Sequence, residues 1–175
     1  MLKIFTIAVL ALFITSCSNN QSQDTKNDVD SHKEVVKKDA KQYSLNEPTE
    51  IIQAFKDSGL PIGKVVIHTS ASDPNKLLGR PDGYIALVHF EDKSVEQNVP
   101  LTENEEVLHK GGVIEVWKSS DEAESRMNYI SDVVKQMNIP ALKQYMYRNK
   151  GVVLRLEYDV LPEQAAKYEA VLISL

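Results

Sequence analysis

Cysteine occurs once in the 175 residues, at position 17, and tryptophan once, at position 117. A lone cysteine leaves no partner for an intramolecular disulfide, so the fold must be held by its apolar core. Catalytic signatures are missing as well. There is no Gly-x-Ser-x-Gly, no phosphate-cradling Gly-rich loop and no His-Glu-x-x-His, which removes the common signals of serine hydrolases, nucleotide binders and zinc proteases. No nucleophile is paired with a base, so no enzymatic activity and no cofactor are expected. Positive charge is also short: 20 Lys and Arg face 25 Asp and Glu, a net charge of -5. No Lys/Arg cluster in the folded part exceeds the acids around it, which argues against nucleic acid as a partner and against adsorption to anionic lipid.

What is present begins with the N-terminus. Lys3 supplies a basic n-region, Ile4 to Ile14 an apolar h-region too short for a permanent span, and Thr15-Ser16 the small residues that cleavage requires. The run Ile14-Thr15-Ser16-Cys17 resembles a bacterial lipobox. The resemblance implies a signal peptide over 1–16, diacylglyceryl transfer to the Cys17 sulfur, and a lipidated Cys17 as the mature N-terminus. Several acyl chains give stable anchoring where one is marginal. The expected location is therefore extracytoplasmic, on the cell membrane or the outer membrane.

Ser18 to Glu47 is rich in Ser, Asn, Gln, Asp and Lys, and its six acids and five lysines nearly cancel. Such a stretch buries too little apolar surface to offset its ordering entropy, and about 30 flexible residues span roughly 30 Å. Residues 17–47 thus read as lipidated Cys and disordered tether, and 48–175 as one globular domain.

Within that domain Pro48-Thr49-Glu50 opens a short helix that stops at Gly59. Strands are expected at Lys64–Thr69, at Tyr84–Phe90 with Tyr84, Ala86, Val88 and Phe90 on one face, and at Val113–Trp117. Asp121–Met137 has helical apolar spacing behind a capping box of Ser119 and Glu122. Gln144–Arg148 and Val152–Tyr158 flank Asn149-Lys150-Gly151, where Gly151 is expected to supply the positive φ of a hairpin turn. In the second of these strands Val153, Arg155 and Glu157 are expected on a wet face. Pro162 starts a last helix. The order predicts an α+β fold: an antiparallel sheet with helices packed mainly on one face and an echo of ferredoxin-like folds, because strands followed by an amphipathic helix occur twice.

Two sets of residues are candidates for binding. The connection Ser70–Gly83 has two prolines and two glycines and is long for a compact domain. There Arg80 could take a carboxylate or phosphate, with Asp73 and Asp82 orienting it or holding Ca²⁺. The same loop also reads as a structured turn, with Asp73 capping a short helical turn that buries Leu77 and Leu78. The second set is His68, His89 and Glu91, which adjacent antiparallel strands could gather around a zinc ion as the weaker alternative. His109 has no second ligand type at metal spacing. Tyr145, Tyr147 and Tyr158 beside the hairpin suit either a surface patch or strand packing.

Leu78-Gly79-Arg80-Pro81 before a Tyr-led strand, Gly111-Gly112-Val113-Ile114-Glu115-Val116 before an Asp-Glu-Ala helix, and Val153-Leu154-Arg155-Leu156 followed by Leu161-Pro162-Glu163-Gln164-Ala165 and Tyr168-Glu169 form a further pattern. Together they resemble a group of small bacterial cell-surface lipoproteins without an assigned activity. The resemblance covers most of residues 73 to 172 and implies a non-catalytic binding or interaction module of the envelope, with an envelope protein or a small ligand as partner. Cys17→Ala should abolish acyl retention: detergent partitioning is expected to move the variant, and not the wild type, into the aqueous phase.

Overall fold

Among the described residues, five strands and three helices follow from this pattern: α1 (Pro48–Asp57), β1 (Ile62–Ile67), β2 (Ala86–Asp92), β3 (Gly111–Val116), α2 (Ser120–Met137), β4 (Gln144–Asn149), β5 (Val152–Glu157) and α3 (Pro162–Ser174). They come from a computed structural model that describes residues 41–96, 110–139 and 142–175. The leader, Cys17, most of the tether and His109 lie outside the described residues. Among the described residues, no helix is long and apolar enough to cross a membrane.

The strands form one antiparallel sheet in the order β1-β2-β3-β5-β4, so the fold is α+β as expected. Period-two alternation sends every second side chain to each face. Val88, Phe90, Ile114, Val116, Leu154 and Leu156 face α1 and α3, where Ile51, Phe55, Ala165, Tyr168 and Leu172 complete the main core. Phe55 meets Tyr168 edge-on, with ring centroids 5.1 Å apart. The Tyr168 hydroxyl donates to the buried Asp92 carboxylate at 2.9 Å. The second Asp92 oxygen accepts from the Ser94 amide at 2.7 Å, which closes the end of β2. Gly112 belongs in this core for a steric reason: a Cβ there would lie 2.5 Å from the Phe90 ring and 2.7 Å from Leu156.

The opposite face differs from the sequence expectation. Leu87, Val113 and Val153 are covered by Ala123 and Met127 of α2 together with Tyr84, Trp117, Leu77 and Leu78, which makes a second core. Val153 is therefore buried and not wet. Tyr84 precedes the first strand pairing and joins this second core, edge-on to Trp117 at 5.5 Å, on the side opposite Val88 and Phe90. Two of the three helices still share one face. β3 and β4 each run antiparallel to β5, which lies between them, so β3-α2-β4 is one split β-α-β unit. That is the extent of the ferredoxin-like echo, because α2 and α3 lie on opposite faces of the sheet.

Local signals were realised with one exchange. Ser119 and Glu122 form the capping box, each side chain accepting the other's amide at 3.2 Å. In the hairpin the positive φ falls on Lys150, at 49°. Gly151 is needed instead for space, since a Cβ would stand 2.6 Å from the Trp117 carbonyl oxygen. Residues 41–47, placed in the tether by composition, pack on the domain. Leu45 lies against the main core, the Ser44 amide donates to Glu50 at 2.6 Å, and Lys41 and Tyr43 both meet Asp57.

Tyr168→Phe leaves the buried Asp92 carboxylate short of one donor without changing the ring packing. The expected loss is about 1–3 kcal/mol, read from chemical denaturation.

Candidate functional site

The long connection between β1 and β2 is organised by one carboxylate. Asp73 is buried and accepts from the amides of Asn75 (2.9 Å), Leu77 (2.7 Å) and Leu78 (2.8 Å) and from the Tyr84 hydroxyl (2.6 Å). Desolvation pushes its pKa up, but these four donors outweigh it and hold the carboxyl below its usual range. Burial and the adjacent Asp73 push the Tyr84 hydroxyl well up, so it stays protonated as a donor. Asp73 thus has a structural role, the turn reading of this loop, and is not placed to orient Arg80. Gly83 lets the loop close, since a Cβ there would be 1.8 Å from the Leu77 carbonyl oxygen. Arg80 and Asp82 both lie exposed on the surface, and neither takes part in an ion pair among the described residues.

The loop ends beside α2 and the two leave a groove of about 900 Å³. Its walls include Leu77, Asp82, Trp117, Asp121, Arg126 and Tyr129. Arg126 is not free to act there. Its Nε and Nη2 donate to the two Glu115 oxygens, both at 3.0 Å, and Trp117 Nε1 donates to Glu115 at 3.3 Å. Arg155 Nη2 approaches the same carboxylate at 3.2 Å. Glu115 is fully buried, and this fork of donors compensates its desolvation. Tyr129, in contrast, is 63% exposed. The groove therefore presents the exposed carboxylates of Asp82 and Asp121 and the ring of Tyr129, over which the Arg126 guanidinium lies 6.0 Å from the centroid.

The cross-strand meeting of His68 and His89 is realised, and Glu91 is not part of it. His89 Nδ1 lies 2.6 Å from His68 Nε2, and His68 Nδ1 lies 2.9 Å from the Ser72 carbonyl oxygen. A carbonyl only accepts, so His68 Nδ1 carries the proton; with both rings neutral, His89 Nδ1–H donates to His68 Nε2. Glu91 accepts from the Lys64 amide at 3.0 Å instead. Among the described residues no three His, Cys, Asp or Glu side chains gather in a way that could hold a metal ion. Burial, then the neighbouring His68 and Arg155, lower the His89 pKa to about 3, with Asp73 opposing.

Sequence reasoning missed the Glu115–Arg126–Arg155 cluster. Its signal was a charge inside each of two apolar runs, Val113-Ile114-Glu115-Val116 and Val153-Leu154-Arg155-Leu156. Trp117 is a core residue, buried in the second core. Tyr145 and Tyr147 pack on the main core, so packing explains these two, while Tyr158 stacks on Tyr145 at 5.9 Å and stays exposed. No known protein family, curated protein or solved structure matches this chain.

The buried His89 sets a pH dependence. Its folded pKa of about 3 lies below the ordinary 6.5, so its contribution to stability is complete above pH 6.5 and is lost as pH falls from there toward 3. Denaturation at pH 7.5 and pH 5 is expected to show a larger loss for wild type than for His89→Gln. Equal losses would mean that the ring is not held neutral.

Proposed function

We propose that the chain is a lipoprotein of the cell envelope, anchored through Cys17 to the cell membrane or outer membrane on its extracytoplasmic side. Its domain acts as a non-catalytic binding module that receives a basic segment of an envelope protein. The observation that supports this most is the groove between α2 and the 70–83 loop, where Asp82 and Asp121 are exposed and Tyr129 offers its ring. Carboxylates around an aromatic face suit lysine or arginine, through charge and through cation–π contact. Arg126 in the groove wall is paired with Glu115 from behind and lies 6.0 Å from the Tyr129 ring centroid, so the partner's cation takes the open side of that ring. The net charge of -5 acts in the same direction over longer range.

Arg80 has a smaller part in this reading than its place in the loop suggested, because it has the wrong sign for a basic partner. The zinc reading of His68, His89 and Glu91 has less support, since Glu91 is turned toward the Lys64 amide.

Fluorescence anisotropy of a labelled lysine-rich decapeptide against the full chain in detergent tests the groove. Asp82→Lys combined with Asp121→Lys should weaken binding about tenfold or more, and Tyr129→Ala several-fold. Arg80→Ala should leave affinity unchanged or slightly higher, with stability within about 0.5 kcal/mol of wild type. Equal affinity for wild type and the double charge reversal would remove the groove as the binding site.

A further inference from the structure

A second, smaller cavity lies on the same face of the sheet and is separate from the groove. It measures about 180 Å³ and is bounded by His89, Val113, Gln144, Arg155 and Glu157. The register explains why these residues meet. His89, Val113, Arg155 and Met146 form one cross-strand row, and Gln144 pairs with Glu157 in the next.

Arg155 is the anomaly here. Its side chain is only 18% exposed, yet among the described residues its polar contact is the Glu115 oxygen 3.2 Å from Nη2, and its buried Nε finds no hydrogen-bond partner there. A guanidinium has five N–H donors, and buried donors in native proteins are nearly always satisfied. Glu115 is already claimed in bidentate fashion by Arg126. Two guanidinium groups thus share the Glu115 carboxylate, and with Glu157 also beside Arg155 the charges balance, so what the cavity offers is unfilled guanidinium donors and not net charge.

We propose that this cavity binds a small organic monocarboxylate, with its carboxylate on the Arg155 guanidinium and the Gln144 amide. Planar guanidinium–carboxylate geometry satisfies two donors at once. Glu157 selects for a single negative charge, because its carboxylate in the wall penalises a dianion such as phosphate. Neutral His89 leaves Nε2 as a bare acceptor, so a hydroxyl or amino group next to the ligand's carboxylate gains a partner. The site therefore suits 2-hydroxy or 2-amino acids of a few heavy atoms over simple fatty acids.

Thermal unfolding of the full chain in detergent, with sodium acetate and sodium lactate against sodium chloride at equal ionic strength, tests this. Both carboxylates should raise Tm, by about 3 °C or more at tenfold their Kd, with lactate acting at the lower concentration. Arg155→Gln should abolish the rise. Should that variant not fold, Gln144→Ala on the edge strand decides, with a several-fold higher concentration needed for the same rise. NMR of the Arg155 Nε–H resonance should show it moving with lactate and not with chloride. The proposal is overturned if neither carboxylate exceeds chloride, if phosphate stabilises more than lactate, or if Gln144→Ala responds as wild type does.

Discussion

A carboxylate in the middle of a sheet is costly to desolvate, and Glu115 is fully buried near the C-terminal end of β3, the central strand. Everything on that side of the sheet is arranged around the need to compensate it. Arg126 must reach it from α2, which fixes the rotation and height of that helix over the strands. Trp117, just past the end of β3 and two residues from Glu115, donates its indole N–H. Arg155 is drawn in from β5 and is left with more donors than acceptors. Removing one partner of such a cluster costs far more than the cluster contributes, because the remaining charge stays buried. The groove and the small cavity both border this cluster, so its geometry positions both.

The two cores divide the work. The face toward α1 and α3 is conventional, with aromatic rings of Phe55, Phe90 and Tyr168 in mutual contact. The other face is covered by a single helix and an irregular loop, and it holds the buried Asp73, Glu115 and both histidines. Buried polar groups specify arrangement more sharply than apolar packing when every partner is present. An irregular loop can therefore serve as a wall here, since Asp73 ties three of its amides to one point.

Much of the fold was legible in the sequence, because period two and period 3.6 are local signals. The capping box at Ser119, the hairpin at Lys150-Gly151 and the cross-strand approach of His68 to His89 all followed from spacing alone. The side of the sheet taken by α2 was not legible, since an amphipathic helix does not say which face receives it. That choice buried Val153 where alternation predicted water. The boundary at Pro48 was misplaced for a related reason: Leu45 is one apolar residue in a polar stretch, and its burial depends on a distant core. The sites were the least legible. Asp73 and Arg80 share a loop, yet one is buried under four donors and the other projects from the surface, a difference that tertiary context alone decides.

Residues 41–47 also give the domain a mechanical attachment point. Lys41 and Tyr43 converge on Asp57 near the end of α1, while Ser44 is tied to Glu50 in its first turn. The segment thus straps along the helix from one end to the other. Under the anchoring proposed through Cys17, a pull on the domain would be shared across the length of α1 and not concentrated at Pro48, loading the helix in shear and not peeling its first turn.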